Sequence, residues 1–296
     1  MQTSPPWMVS LHGGHNSHAC DHASDPLEAI VEAAVARGYR VFGVTEHAPR
    51  CEPERLFQEE HALGWDVATL ERLFAEHVAR LDHLREVWAD RITLLKGMEI
   101  ETVPVGCYAE VMLELKVRHG IQYLVGSAHF VDGYIIDYTR EEYEKAAEAL
   151  GGSERLAVRY YQTVAEMVEA LKPEVIGHYD LPRKWATDED SCATPAIRRA
   201  ALETLETIRD HASILDVNTG GYRRGFGRPY PAPWIVREAH RMGIPFCFGD
   251  DSHAVGQVGA GIEEARQYLL SLGVEEISLF TPSASGLERQ TAPLTG

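Results

Sequence analysis

The chain reads as an α/β fold, either a closed barrel or a doubly wound sheet, and three observations say so. Short apolar runs alternate with longer amphipathic stretches from residue 8 to residue 280. The apolar runs are mostly continuous rather than alternating, which is the pattern of parallel strands buried on both faces. The first amphipathic stretch, 25–38, carries helix start and stop signals at its ends.

Taken in order, the expected strands are 8–11, 40–45, 92–98, 122–126, 174–176, 214–217 and 244–248, with 277–280 as a further candidate. Between them lie the expected helices. The first is opened by Asp25-Pro26-Leu27-Glu28, with Asp25 as cap and Pro26 at the first helical position, and is stopped by Gly38. The segment 66–91 is a long amphipathic helix whose Leu70, Leu73, Phe74, Val78, Leu81 and Leu84 form a packing stripe rather than a coiled-coil seam. Further helices are expected at 108–119, 141–150, 153–171, 195–211, 233–242 and 263–272. Residues 281–296 are rich in Ser, Thr, Pro and Gly and read as a tail or loop. No repeat and no linker divides the chain, so a single domain over 1–296 is expected.

Composition narrows the function. Of 296 residues 45% are hydrophobic, enough for a full core. Lys and Arg number 28 against 45 acids, a net charge of −17, which argues against nucleic-acid and membrane partners. A small anionic substrate then needs a locally positive site built from a few Arg residues, helix N-termini or metal. The five cysteines, Cys20, Cys51, Cys107, Cys192 and Cys247, form no C-x-x-C pair. This argues against disulfides and thiolate zinc and fits a reducing cytoplasm. Residues 1–10 lack the basic start and apolar run of a signal peptide, and no stretch is apolar enough to span a bilayer.

The residues just past each strand carry the chemistry. In order, the seven runs end in His12-Gly13-Gly14-His15 and on to His22; Glu46-His47; Glu99 with Glu101; His129; His178-Tyr179-Asp180; Asn218 with Tyr222-Arg223-Arg224; and Asp250-Asp251-Ser252-His253. Any one His at a strand end could be a hydrogen-bonded core residue. The set together is hard to explain that way, because in an α/β barrel the C-terminal strand ends converge on one face. Imidazole with carboxylate suits Zn, Fe or Mn in a catalytic site. No G-x-G-x-x-G fingerprint follows the first strand and no G-x-S-x-G elbow occurs.

HGGHNSHACDHA, GVTEHAPR, GMEIE, GSAHFVDGYIIDYT, GHYDLPRK, DVNTGGYRRG…PYP and FGDDSH resemble, in this order, the polymerase-and-histidinol-phosphatase (PHP) superfamily, and within it the histidinol-phosphate phosphatases. The likeness runs from His12 to His253. It implies a distorted (βα)7 TIM-like barrel with three divalent metal ions at the C-terminal face. By resemblance the first ion takes His12, His15, Glu99 and Asp251. The second shares Glu99 and adds His129 and His178, and the third takes His22, His47 and His253. The remaining histidines, His18, His61, His77, His83, His119, His211 and His240, read as solvated or packing residues. Many family members have H-x-H where this chain has His12-Gly-Gly-His15, so the Gly pair must bend the backbone to return His15 toward the metal. His18 rivals His15, and Asp250 rivals Asp251. The implied activity is phosphomonoester hydrolysis, with histidinol phosphate as substrate in histidine biosynthesis. Two alternatives stand beside it: a phosphoesterase acting on a nucleotide or sugar phosphate, and a metal-binding module without catalysis.

Arg183 and Arg223, ahead of Lys184 and Arg224, are candidates to clamp the phosphoryl oxygens, because a guanidinium fork matches them and both follow strand ends. Asp137 or Asp180 would suit the ammonium of a histidinol-like alcohol, and Asp180 could instead orient a ligand His. Cys20 sits beside the histidines and reads as structural.

Overall fold

The computed structural model describes residues 4–186, 190–225, 227–284 and 286–295. The extreme ends of the chain, residues 1–3 and the Gly296 end of the expected tail, lie outside the described residues. Strands β1 (Val9–Ser10), β2 (Val41–Val44), β3 (Thr93–Ile100) and β4 (Tyr123–Gly126) are followed by a small hairpin, β5 (Phe130–Val131) and β6 (Tyr134–Ile135). Then come β7 (Val175–Ile176), β8 (Ile214–Asn218), β9 (Phe246–Gly249), and a second hairpin, β10 (Glu276–Ser283) and β11 (Gly286–Pro293). Seven strands form one parallel sheet in the order β1-β2-β3-β4-β7-β8-β9. The ends of that sheet meet: Leu11 N–H donates to Phe248 O at 2.8 Å, and Asp251 N–H donates to His12 O at 2.9 Å. The outcome is a nearly closed α/β barrel, so of the two expected architectures the doubly wound sheet is ruled out.

The seven expected strands all form, and the helices between them follow their apolar stripes. Helix Val67–Val87 is capped by Asp66, which accepts from Thr69 N–H at 2.8 Å, and it buries Leu70, Leu73, Phe74, His77, Val78, Leu81 and Leu84. That i, i+3, i+4 spacing turns one face to the barrel. Gly38 ends helix Leu27–Arg37 in the left-handed conformation, φ +79°. The start of that helix differs from expectation. Pro26 takes the cap position without a side-chain bond, and the Asp25 carboxylate instead accepts from Val255 N–H at 2.8 Å. A tertiary donor has outcompeted the local one.

One aromatic ring explains the glycines of two strands. Tyr123 is fully buried inside the barrel, and its hydroxyl donates to Leu11 O at 2.8 Å. A Cβ at Gly43 would lie 1.9 Å from that hydroxyl, and one at Gly97 would lie 2.7 Å from the ring. Phe280 packs against the same ring, centroids 5.6 Å apart.

The expected tail is the largest discrepancy. Residues 281–283 and 286–293 are not a tail: they belong to the β10–β11 hairpin, paired in register from Glu276–Pro293 to Ser283–Gly286. The polar sequence of β11 carries no strand pattern of its own. Its backbone pairs with β10, whose Ile277, Leu279 and Phe280 are buried, and Ala292 and Leu294 are buried with them. The β5–β6 hairpin also lies outside the expected elements, because two-residue strands leave no periodicity to read.

Candidate metal centre

Glu99, near the end of β3, is 1% exposed and is surrounded by imidazoles from other strand ends. His12 Nε2 and His178 Nε2 lie 3.2 and 3.1 Å from its Oε1, and His129 Nε2 lies 3.5 Å away. His47 Nδ1 and His15 Nε2 lie 3.0 and 3.7 Å from Oε2. Ser127 Oγ donates to Oε1 at 2.5 Å. Asp251 Oδ1 stands 3.6 Å from His15 Nε2 and 3.7 Å from His253 Nδ1. His253 stacks on His15 at 4.2 Å and on His22 at 4.8 Å. All nine expected ligands, His12, His15, His22, His47, Glu99, His129, His178, Asp251 and His253, are therefore gathered at one end of the barrel.

The backbone bends where it was expected to. Gly14 has φ +78°, and the turn is held by Thr45 N–H donating to Gly13 O at 2.9 Å and His15 N–H to Ser252 O at 2.9 Å. A Cβ at Gly13 would meet Asp250 Oδ1 at 2.2 Å, so this crossing needs glycine. His178 and Asp251 also hold positive φ, +23° and +47°. Such strain in non-glycine residues concentrates at functional sites.

An outer ring of carboxylates aims the rings. His12 Nδ1–H donates to Asp216 Oδ2 at 2.8 Å, His15 Nδ1–H to Glu46 Oε1 at 3.2 Å, and His129 Nδ1–H to Glu101 Oε1 at 2.8 Å. Each bond leaves the Nε2 lone pair facing Glu99, the arrangement that orients metal-ligating histidines. Sequence reasoning assigned no role to Glu46 and Asp216. The available signal was an acid inside or directly after an apolar strand, where burial demands a partner.

The inner atoms fit a cation. Among the described residues, the Nε2 atoms of His12, His15 and His47 and Oε2 of Glu99 are buried without a hydrogen bond of adequate geometry. Each orphan costs about 1–3 kcal/mol unless something satisfies it. Orphaned lone pairs of this kind suit divalent metal, and the triads His12–His15–Asp251, His12–Glu99–His178 and His15–His47–Glu99 each bring three donor atoms within 4.8 Å of one another. Without metal, charge coupling is strong. Burial raises the Glu99 carboxyl, but the imidazoles of His12, His129 and His47 outweigh it and hold Glu99 well below the usual range. Burial favours neutral His129, yet Glu101, Asp137 and Glu99 push its pKa up to about 9.

Both rivals are bonded elsewhere. His18 Nε2 meets Glu76 Oε2 at 2.8 Å on the outer side of its loop. Asp250 faces away from the histidines: its Oδ2 accepts from Tyr39 Oη and Gly259 N–H, both at 2.9 Å. Arg183 departs from expectation. It is buried, donates from Nη2 to Pro229 O at 2.8 Å, and lies over the Tyr230 ring at 4.8 Å. It lines a separate cavity with Asp180, whose carboxylate accepts from Ala232 N–H at 2.8 Å. The 3₁₀ turn Leu181–Trp185 rotates Arg183 out of the site, so neither Arg183 nor Asp180 reaches the metal cluster.

The cluster floors a cavity of about 300 Å³, which Arg223, Arg224, Asp137, Tyr230 and Gln257 also line. Arg223 is held by Asp250 O and Asp251 O at 2.9 and 2.6 Å. Asp137 lies 3.7 Å from Lys184 Nζ. Burial raises its carboxyl, but His129, Lys184, His178 and Arg224 keep it below the usual value. An adjoining lobe of about 240 Å³ shares Asp137 and Arg224 and adds Phe57, Tyr138 and Lys184. Phe57 and Tyr138 are stacked there, centroids 4.8 Å apart. Among the described residues, no helix is long and apolar enough to cross a membrane.

Known proteins share this framework. The PHP domain model matches residues 12–220. A probable histidinol-phosphatase of Schizosaccharomyces pombe is 28% identical over 282 residues, covering 94% of this chain and 91% of that protein. The histidinol-phosphatase of Saccharomyces cerevisiae is 26% identical, covering 87% of this chain and 88% of that protein. Among solved structures, the histidinol phosphate phosphatase of Lactococcus lactis, complexed with zinc, L-histidinol and phosphate, aligns with a TM-score of 0.69 at 17% identity, over 95% of this chain and 98% of that one.

Proposed function

The chain belongs to the PHP domain family, and from that premise we propose that it is a metal-dependent phosphomonoesterase that hydrolyses L-histidinol phosphate to histidinol and phosphate. One observation carries the hydrolase reading: orphaned imidazole nitrogens converge on Glu99 at the floor of an open cavity that also presents arginine. Full-length relatives with that activity carry the substrate.

The proposed ligand set is the expected one. His12, His15 and Asp251 would hold one ion, His129 and His178 a second, with Glu99 shared, and His22, His47 and His253 would hold a third. Bound divalent ions supply Lewis-acid stabilisation of phosphoryl charge and activation of water. The protein's part is orientation. Asp216, Glu46 and Glu101 fix the tautomers of His12, His15 and His129. Arg223, with two of its five N–H groups bound to backbone carbonyls, turns the rest to the phosphoryl oxygens, and Arg224 lines both lobes. Asp137, ionised at neutral pH, sits where the two lobes meet and takes the substrate ammonium. The alcohol's imidazole extends into the lobe lined by Phe57 and Tyr138.

Elemental analysis of the purified protein, paired with phosphate release from a substrate panel, tests this. The expected result is bound metal and a kcat/KM for histidinol phosphate at least about tenfold above nucleotide, sugar and aryl phosphates, a difference of about 1.4 kcal/mol in transition-state binding. Equal rates across the panel would favour a general phosphoesterase. A metal-loaded protein inert to every ester would make it a binding module.

A further inference from the structure

The seat formed by His22, His47 and His253 has a fourth donor beside it. Cys20 is 4% exposed, and its Sγ lies 3.4 and 3.5 Å from the two ring nitrogens of His22. One donor atom from each of Cys20, His22, His47 and His253 falls within 4.8 Å of all the others. At a tetrahedral zinc ion with Zn–S ~2.3 Å and Zn–N ~2.0–2.1 Å, neighbouring donors stand roughly 3.3–3.6 Å apart. Small side-chain rotations therefore bring these four atoms to bonding distance.

The backbone holds the thiol in place. Ala19 and Cys20 N–H both donate to Asn16 O, at 3.2 and 2.9 Å, and Ala23 N–H donates to Cys20 O at 3.3 Å. Asn16 is itself anchored: its N–H and Nδ2 donate to Glu46 Oε2 at 3.0 and 2.7 Å. A cysteine serving only to pack would face aliphatic carbon. This one faces three imidazoles, which stack and tilt around the same point with His22–His47 and His47–His253 centroids 5.5 and 5.8 Å apart.

We propose that Cys20 is the fourth protein ligand, as thiolate, of the ion held by His22, His47 and His253. On binding, the S–H bond breaks, a sulfur–metal bond forms and the proton leaves to solvent. The inference rests on the metal reading above. It adds that this seat differs in kind from the carboxylate-rich pair at Glu99. One sulfur and three nitrogens select zinc or cobalt over manganese or magnesium. Four protein ligands also close the coordination shell, making this ion a holder of the cavity wall rather than an activator of water.

Cobalt is the probe. Metal-free protein reloaded with Co2+ should show a sulfur-to-cobalt charge-transfer band in the near ultraviolet. Cys20→Ser should lose that band and keep the visible absorption of cobalt bound by nitrogen and oxygen, whereas Cys51→Ser should retain both. Cobalt content measured on the same samples separates the two readings. Stoichiometric cobalt without the band, or a band that survives in Cys20→Ser, overturns the thiolate ligand alone. Failure to bind cobalt and zinc overturns the metal reading and the thiolate with it. If Cys20→Ser does not fold, X-ray absorption of the zinc-loaded wild type decides: a sulfur shell near ~2.3 Å supports the ligand, and a shell of nitrogen and oxygen alone overturns it.

Discussion

Asp216→Asn isolates the orienting carboxylate from the metal ligands. Asp216 and His12 are both fully buried, and the Nδ1–Oδ2 distance is 2.8 Å. Asn218 Nδ2 also donates to that oxygen at 2.9 Å, so an amide of the same shape can keep its oxygen toward both partners. The fold should survive while the negative charge behind His12 is lost. A hydrogen bond to a charged acceptor contributes about 1.5–3 kcal/mol, against about 0.5–1.5 for a neutral one. The difference, about 1–2 kcal/mol, is weaker metal binding by roughly five- to thirtyfold, within the ten- to hundredfold range typical of such outer partners. Competition with a chelator measures the affinity, and the far-ultraviolet spectrum of the metal-free variant checks the fold. At saturating metal most of the turnover should return. A folded variant with unchanged metal affinity would refute the idea that Asp216 tunes His12 as a ligand.

Three more outcomes are expected. Glu99→Gln should lower bound metal and hydrolysis together, because Glu99 contacts five imidazoles drawn from all three proposed seats; wild-type turnover would contradict the bridge. His18→Ala should leave metal content unchanged and kcat within about twofold, since its ring pairs with Glu76 on the surface and such surface pairs contribute little; loss of one metal equivalent would return His18 to the ligand set. Metal affinity should rise with pH. Burial favours neutral rings at His129 and His22, but Glu101, Asp137 and Glu99 push the first to about 9, and Asp21 and Cys20 push the second to about 10. Both are therefore protonated at neutral pH without metal and must release a proton to bind it. Titration at pH 6, 7 and 8 in buffers of different ionisation heat reads the released protons, and a pH-independent affinity would contradict this.

Much was legible from the chain alone. Continuous apolar runs and capped amphipathic stretches report short-range physics, so the seven parallel strands and the helix stripe at 67–87 could be placed without coordinates. Strand direction then sent His12, His47, Glu99, His129, His178 and His253 to one rim, because parallel strands in a barrel end together. Side-chain direction beyond a strand end is another matter. It depends on individual φ values and on neighbours distant in sequence. The left-handed turn at Asp251 and the grip of Tyr39 and Gly259 on Asp250 decide which acid faces the histidines. A 3₁₀ turn carries Arg183 away to Pro229, and a backbone ladder to β10 makes a strand of the polar segment 286–293. The aiming carboxylates Glu46 and Asp216 acquire their role only when the barrel closes and sets them behind rings 31 and 204 residues away. Periodicity determines which elements form; burial and closure, which bring remote groups into contact in a dry interior, determine what each side chain there is bound to.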